Sequence, residues 1–257
     1  MTRVGIVGGA GRMGQIMARE LSRHDEISVV VLVDLHEPAS AQGVRWVRAL
    51  DELSVDDVDV LVDFSVPDVT RDALRWCLAN DVALVSGTTG LSSDEIAEWE
   101  PRVVAVNGHV LYASNFSIGA VLADRFAAQA AKYFDQVEII ELHHERKIDA
   151  PSGTSLVTAR VIADARRDAA MAAQVDPTQH ETLVNARGAQ GPEGIRIHSV
   201  RLAGLVAHQE VIFGGPGEGL TIRHDSYDRV SFISGVAVAV RAVRARPGLT
   251  VGLHELV

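Results

Sequence analysis

The segment Glu141–Thr154 (ELHHERKIDAPSGT) carries side chains that can bind an anion and transfer a proton. His143 and His144 stand at the end of a strand-like run, and Lys147 follows them in a polar loop. Imidazole and ammonium groups bind carboxylates and act as general acids. This segment therefore predicts a site that binds a carboxylate and delivers a proton, with a polar surface loop as the alternative.

A predicted helix begins at Ser152, Gly153 and Thr154, directly after this loop. The free N–H groups of a helix N-terminus bind carboxylates, so these three residues form a second candidate carboxylate site. Neighbouring residues of a regular strand point to opposite faces. His143 and His144 can therefore share one pocket only if the strand ends there.

Lysine is rare in this sequence, which indicates a specific role for Lys147. Of 24 cationic side chains, only Lys132 and Lys147 are lysine. Arginine does not release a proton near neutral pH, so a lysine in such a chain indicates a role such as proton donation. No metal site is predicted. The residues from His144 begin like the zinc-protease pattern H-E-x-x-H, but Ile148 stands where the second histidine should be.

A glycine-rich turn near the N-terminus predicts a dinucleotide site. The strand-like run Arg3–Gly8 enters it and a helix-like run follows, so backbone N–H groups can approach a pyrophosphate. An acidic residue ends the next strand, 20 residues after Gly14, where ribose hydroxyls bind. The predicted cofactor contacts here are Gly8, Gly9, Ala10, Gly11, Arg12, Met13 and Asp34.

Two of these contacts bear on the choice of cofactor. Asp34 favours the free ribose hydroxyls of NADH, whereas Arg12 can reach the 2′-phosphate of NADPH. A solvated cation is the alternative role for Arg12. Both NADH and NADPH stay open.

A second loop is predicted at the same edge of the sheet. Gly87, Thr88, Thr89 and Gly90 follow the predicted strand Val82–Ser86. Ligands of open α/β sheets bind at the carboxyl edge, so the first three of these residues are predicted to contact the nicotinamide half of the cofactor. An ordinary turn is the alternative.

The order of the predicted elements indicates two domains. The first part alternates strands and helices as βαβ units, which predicts an α/β, Rossmann-type domain with a doubly wound parallel sheet. From about Asn115 the pattern changes to a second α+β domain with a mostly antiparallel or mixed open sheet. We place the dinucleotide-binding domain at residues 1–114 and 222–257, and the substrate-binding and oligomerisation domain at 115–221.

Composition narrows the class of protein. The formal net charge of −10 disfavours nucleic-acid binding, and the longest apolar run, Ile27–Val33, is too short for a membrane helix. The single cysteine, Cys77, excludes an intrachain disulfide, and the N-terminus lacks a signal-peptide pattern, so a cytoplasmic location is expected. Cys77 lies in a helical pattern and is expected to be buried, which disfavours dehydrogenases that use a cysteine nucleophile.

These motifs together resemble those of the 4-hydroxy-tetrahydrodipicolinate reductases, formerly called dihydrodipicolinate reductases. The likeness covers nearly the whole chain, and its later part looks like the actinobacterial members. The segments that carry the resemblance are Gly8–Gly14, Gly87–Gly90, Ser114–Ser117, Glu141–Thr154, Arg201–Phe213 and Gly219–Arg229.

The resemblance implies an activity and a set of functional residues. It implies NADH- or NADPH-dependent reduction of a cyclic dicarboxylate in the biosynthesis of diaminopimelate and lysine. His143 corresponds to the family's acid/base histidine and Lys147 to its proton donor, while His144, Gly153 and Thr154 correspond to carboxylate contacts. The corresponding nucleotide contacts are Gly8 to Met13, Gly87 to Thr89, and Ala113, Ser114, Asn115 and Phe116.

The resemblance also implies a homotetramer that associates through the second-domain sheets, with domains that close over the substrate. One departure concerns the cofactor: some members have an arginine after the ribose-binding acid, whereas Leu35 follows Asp34 here.

Two other functions fit parts of the sequence. A redox sensor that binds NAD(H) as a regulatory ligand would keep the glycine-rich turn but would not need the Glu141–Thr154 segment. A dehydrogenase of another small acid or aldehyde is disfavoured by the paired carboxylate-binding features and by the absence of a suitable cysteine.

Overall fold

The computed structural model describes residues 1–40 and 43–257. The chain divides into two units, which are residues Met1–Ile118 with Arg229–Val257 (unit 1) and Gly119–Asp228 (unit 2). These boundaries lie a few residues beyond positions 114 and 222, where the sequence analysis places them. The later boundary follows from the last strand of unit 2, which continues to Ser226.

Unit 1 contains a seven-stranded sheet in which every strand pair is parallel, as the Rossmann-type prediction requires. Its strand order is β12-β6-β5-β4-β1-β2-β3. The order reverses at β1, and ligands of such sheets bind outside the carboxyl ends of strands at the reversal. The strands are β1 (Thr2–Val7), β2 (Ile27–Val33), β3 (Arg45–Val47), β4 (Val60–Asp63), β5 (Ala83–Ser86), β6 (His109–Tyr112) and β12 (Gly248–Val251).

Four helices belong to this sheet: α1 (Arg12–Leu21), α2 (Pro67–Asn80), α3 (Ser93–Ala105) and α6 (Ile233–Val243). Residues at the start of α2 and α3 determine where these two helices begin. Pro67 begins α2, where its missing N–H costs nothing, and the Ser92 side chain caps α3 by accepting the Glu95 N–H. Cys77 lies fully buried in α2, as its helical spacing predicts.

Three strands of unit 1 are not predicted from the sequence. Strands β3, β6 and β12 are three or four residues long, too short for alternation to distinguish them from loops. Pairing with neighbouring strands supplies what the local pattern lacks, since β3 pairs with β2, β6 with β5, and β12 with β6 at the sheet edge.

Unit 2 contains a five-stranded mixed sheet of order β11-β10-β7-β9-β8, which confirms the predicted class. Only β7 and β9 run parallel. The helices α4 (Ile118–Ala130) and α5 (Gly153–Asp168) pack on one face through a core that includes Ala127, Ile162 and Ile139. The strands are β7 (Gln136–His143), β8 (Ala189–Gln190), β9 (Arg196–Arg201), β10 (Ala207–Gly215) and β11 (Glu218–Ser226).

Within the described residues, no helix is both long enough and apolar enough to cross a lipid bilayer.

Candidate functional site

The glycine-rich turn of unit 1 uses most of its own N–H groups within the fold. The Gly8 and Gly9 N–H groups donate to the Val33 carbonyl at 2.9 and 3.2 Å, and the Gly11 N–H donates to the Gly8 carbonyl at 3.0 Å. The donors left for a phosphate are therefore those at the start of α1, from Arg12 onward. The N–H groups of the predicted contacts Gly8 and Gly9 are thus used to shape the turn, and the free donors lie at the helix N-terminus.

Close packing explains the last glycine of the pattern. A Cβ on Gly14 would lie 2.2 Å from the Gly8 carbonyl oxygen, so a larger residue would push α1 away from β1. Gly8 itself has a φ of +81°, a conformation that residues with a Cβ rarely adopt.

Asp34 directly follows β2. Its carboxylate is hydrogen-bonded to the glycine-rich turn and also faces a cleft. Its two carboxylate oxygens accept the Ala10 and His36 N–H groups, each at 3.0 Å. One lone pair on each oxygen stays open for another donor. Asp34 also lines a cleft of about 960 Å³, large enough for the adenosine half of a dinucleotide, with Leu35 and Arg48 among its walls.

A second cleft of about 460 Å³ collects the other predicted cofactor residues of unit 1. It brings the start of α1 together with the loops after β5 and β6. The predicted residues in its lining are Gly11, Arg12, Met13, Gly87, Thr88, Thr89, Ser114, Asn115 and Phe116. Ala113 is not among them, because it is 1% exposed and its N–H bonds to the Ser86 carbonyl at 3.0 Å.

Two aromatic rings explain why residue 87 is a glycine. The rings of Phe64 and Phe116 lie with their centroids 5.4 Å apart. A Cβ on Gly87 would come within 2.4 Å of the Phe64 ring and 2.9 Å of the Phe116 ring. Gly87 therefore gives the rings room, and they form an apolar wall of the cleft.

Phe64, Ser65, Arg229 and Phe232 also line this cleft, and the sequence analysis did not predict them. Phe64 and Ser65 directly follow β4, so the rule that ligands bind at the carboxyl edge could have indicated them. Arg229 is remote in sequence, and no local pattern marks it.

A buried carboxyl group holds these loops in place. Asp63 ends β4 and is 0% exposed. Its Oδ2 accepts the hydroxyls of Thr70, Ser86 and Thr88 at 2.6, 2.7 and 2.9 Å, and its Oδ1 accepts the Ser65 hydroxyl. The Thr88 hydroxyl oxygen in turn accepts the Ser65 N–H at 3.0 Å. Asp63 thus joins the loops after β4 and β5.

The site in unit 2 is built at the end of β7. The strand ends at His143, so His144 is free of its alternation, as the shared-pocket interpretation requires. Residues two apart lie on the same face of a strand, which brings the side chains of Glu141 and His143 together. Glu141 Oε2 contacts His143 Nδ1.

Glu141 connects this strand end to two other segments. It is fully buried, and Arg201 binds both of its oxygens, at 2.9 and 2.8 Å. Its Oε1 also accepts the Ser152 N–H at 3.2 Å. Burial alone would raise the pKa of Glu141, but the hydrogen bonds from His143 and Arg201 outweigh it and hold the pKa at about 2. The carboxylate is therefore ionised at neutral pH.

Lys147 lies beside a carboxylate in the loop. Its Nζ is 2.8 and 2.9 Å from the two oxygens of Asp149, and its side chain is 21% exposed. The position of the Lys147 ammonium group therefore allows it to bind an anionic group. His144 Nδ1 is buried without a hydrogen-bond partner among the described residues, which leaves one polar atom of the site unsatisfied.

At the start of α5, Ser152 is hydrogen-bonded within the fold and Gly153 faces open space. The Ser152 side chain caps the helix by accepting the Ser155 N–H at 3.2 Å, and its own N–H is bound to Glu141. Ser152 is 2% exposed, so it positions the helix start. Gly153 is exposed, and a Cβ there would meet no atom within 4 Å, which leaves open space at the helix N-terminus.

The sequence analysis assigned no role to Glu141 or Arg201. The spacing of Glu141 from His143 is a signal that strand alternation could have supplied. Arg201 ends β9, which pairs with β7 in parallel so that Arg201 stands opposite His143. Strand pairing of this kind cannot be deduced from the sequence of either strand alone.

Comparison with known proteins gives a consistent family assignment. The family model described as "Dihydrodipicolinate reductase, N-terminus" matches residues 2–116, and "Dihydrodipicolinate reductase, C-terminus" matches residues 119–257. The 4-hydroxy-tetrahydrodipicolinate reductase of Mycolicibacterium vanbaalenii is 46% identical over 99% of this chain and 98% of its own. That of Streptococcus pneumoniae is 47% identical with the same coverage.

A solved structure agrees with these relatives. The dihydrodipicolinate reductase from Paenisporosarcina sp. TG-14, solved with dipicolinate bound, superposes with a TM-score of 0.87 at 40% identity. The match covers 100% of both chains.

We expect Asp63→Asn to weaken cofactor binding about tenfold, equivalent to about 1.4 kcal/mol. An amide nitrogen cannot accept the hydroxyls that Asp63 now accepts, and unsatisfied buried donors cost about 1–3 kcal/mol each. Titration with NADH measures the change in cofactor affinity, and thermal unfolding measures the cost of the unsatisfied donors to stability. Asp59→Asn is the control, because Asp59 precedes β4 and pairs with Arg3, whereas Asp63 ends that strand. Unchanged affinity in Asp63→Asn would show that the loops hold their positions without this carboxyl group.

Proposed function

Because the chain belongs to the dihydrodipicolinate reductase family, we propose that it reduces 4-hydroxy-2,3,4,5-tetrahydrodipicolinate to tetrahydrodipicolinate with NADH or NADPH. This reaction is a step in the biosynthesis of diaminopimelate and lysine. The observation that carries the proposal is the cluster at the end of β7, where two histidines, a lysine and an open helix start lie within one segment. A relative was solved with dipicolinate, a ring with two carboxylates.

The clefts of unit 1 fit a nicotinamide dinucleotide. The start of α1 offers N–H groups to the pyrophosphate, and the open lone pairs of Asp34 accept ribose hydroxyls. The loop Gly87–Thr89 and the Phe64–Phe116 wall line the smaller cleft, which suits the nicotinamide ring. When bound, the cofactor supplies a hydride.

The residues of unit 2 fit the other requirements of the reaction. The substrate carries two carboxylates, and loss of water converts it to a conjugated imine. Gly153 and Thr154 at the helix start would bind one carboxylate, and His144 the other. Hydride addition to a ring carbon leaves an electron pair on the ring, and a proton from Lys147 or His143 completes the reduction.

The first test is the reaction itself. In a coupled assay, a synthase condenses pyruvate with aspartate semialdehyde, and nicotinamide absorbance is followed after this protein is added. We expect oxidation of NADH and NADPH only when the synthase product is present, with NADH used at least as well because Asp34 accepts ribose hydroxyls. Comparable turnover of simple 2-oxo acids would contradict the proposed substrate.

The second test separates proton donation by Lys147 from charge alone. A guanidinium binds carboxylates well but does not release a proton near neutral pH, so Lys147→Arg keeps the charge and loses the acid. Positioned general acids contribute roughly 10²–10⁴ in rate, so we expect kcat to fall by about that factor with cofactor affinity unchanged.

The matched control is Lys132→Arg, which changes the only other lysine, exposed after α4. Steady-state kinetics on both variants give the answer. If Lys147→Arg keeps most of its kcat, the proton comes from His143 or water, and Lys147 serves only to bind a carboxylate.

We further propose a homotetramer in the cytoplasm, associated through the sheet of unit 2. The face of this sheet opposite α4 and α5 carries partly exposed apolar side chains on neighbouring strands, such as Ile140, Val200 and Ile212. Apolar surface of this kind is commonly covered by another subunit. The resemblance to the family supports the same arrangement.

Light scattering tests the assembly. Four chains of 27.6 kDa give 4 × 27.6, about 110 kDa. We expect this mass for the wild type and a smaller one for Ile212→Asp, which places a charge in the proposed interface. Val104→Asp is the control, because Val104 is 61% exposed on α3 of unit 1. A wild-type monomer at micromolar concentration would refute the tetramer.

A further inference from the structure

Glu141 contacts both His143, the candidate catalytic histidine, and Ser152 at the start of α5 through its carboxylate. Its carboxylate contacts His143 Nδ1 and the Ser152 N–H, and it is bound at both oxygens by Arg201. All of these contacts lie within unit 2.

We propose that Glu141, held by Arg201, is a positioning residue that fixes the tautomer and orientation of His143 and locks the start of α5 beside it. The inference rests on the proposed function for its effect on rate, but its structural part can be tested without substrate.

The tautomer follows from the donor and acceptor count. An ionised carboxylate only accepts hydrogen bonds, so the His143 nitrogen that faces Glu141 must carry a proton. In the neutral ring, that proton is on Nδ1, and Nε2 has the open lone pair. His143 Nε2 is therefore the atom available to exchange a proton with a substrate.

Arg201 explains how the carboxylate keeps its place. Two parallel N–H···O bonds fix a carboxylate in the plane of the guanidinium, which a single ammonium cannot do. Arg201 also donates to the Asp149 carbonyl at 2.6 Å. The same guanidinium thus holds Glu141 and the loop that carries Lys147.

The charged and titratable groups around His143 come from three segments. Glu141 lies on the same strand, and Arg201 ends the neighbouring β9. The loop after the strand contributes His144 and the Lys147–Asp149 pair. On the other side, β10 places uncharged Ala207 opposite His143. Only Glu141 contacts the Nδ1 atom among the described residues.

The test is Glu141→Gln, read by ¹⁵N NMR of the histidine rings and by kinetics. The glutamine oxygen would face the N–H groups of Arg201 and Ser152, so its NH₂ group would face His143 Nδ1. We expect the neutral ring to change from the Nδ1-protonated to the Nε2-protonated tautomer. Loss of the group that orients a metal-binding histidine typically costs about 10–100-fold in activity, and we expect kcat to fall by roughly the same factor here.

The chain offers a matched control on the same strand. Glu138 also contacts a histidine and an arginine, with His198 Nε2 at 2.7 Å and Arg187 beside it, but it lies on the opposite face of the sheet. Glu138→Gln should leave the His143 ring signals unchanged, because its side chain does not share a face with His143. Arg201→Lys should keep the Nδ1 tautomer and lower kcat less than Glu141→Gln.

The outcomes distinguish this inference from the proposed function. If the wild type does not reduce the dicarboxylate, the proposed function fails, while the NMR result stands by itself. If the wild type is active and Glu141→Gln keeps both the Nδ1 tautomer and full kcat, Glu141 is not a positioning residue. If Glu141→Gln does not fold, the wild-type spectrum still decides, because an Nε2-protonated neutral His143 would overturn the inference.

Discussion

A carboxyl group that is removed from water must be surrounded by hydrogen-bond donors, and this constraint shapes both functional regions of the chain. Asp63 in unit 1 and Glu141 in unit 2 are each fully buried. The donors around Asp63 are hydroxyls from three neighbouring segments, whereas those around Glu141 include a guanidinium. Two of the donors to Asp63, Ser65 and Thr88, line the smaller cleft of unit 1, and the donors to Glu141 come from the ends of β7 and β9 and from the start of α5. Burying one acid therefore fixes several loops at once.

Asp63 and Glu141 differ in the charge of the groups that donate hydrogen bonds to them. Glu141 has a pKa of about 2 in the folded protein, against an ordinary value of 4.5. A lowered folded-state pKa stabilises the fold above the ordinary value, and that contribution is lost as the pH falls from about 4.5 towards 2. The Asp63 cluster is held by neutral hydroxyls, so its geometry depends on the number of donors more than on charge balance. The anchor at Glu141 is therefore electrostatic, whereas the cluster at Asp63 depends on neutral donors.

The sequence predicted the parts of this arrangement that are local. The turn around Gly11, the buried Cys77 and the strand end at His143 all follow from spacing within one element, and the structure contains each of them. The loops after β5 and β6 were predicted by edge position and by family resemblance. What the sequence could not supply were contacts made by strand pairing, such as the one between Arg201 and Glu141. The internal hydrogen bond of the Ser152 N–H was not predicted for a related reason, since its acceptor is a side chain from another element.

Asp34, the residue proposed to bind the ribose, also couples ligand binding to architecture. The carboxylate that would accept ribose hydroxyls also accepts the Ala10 N–H inside the glycine-rich turn. The Trp46 indole N–H donates to the Asp34 carbonyl at 3.0 Å, which holds the end of β2 from the other side. A change of charge at Asp34 would therefore disturb the turn as well as the ribose contact. Selectivity between NADH and NADPH is more easily altered at residues that line the cleft without holding the turn. Leu35 is such a residue, since it is 74% exposed and follows the acid directly.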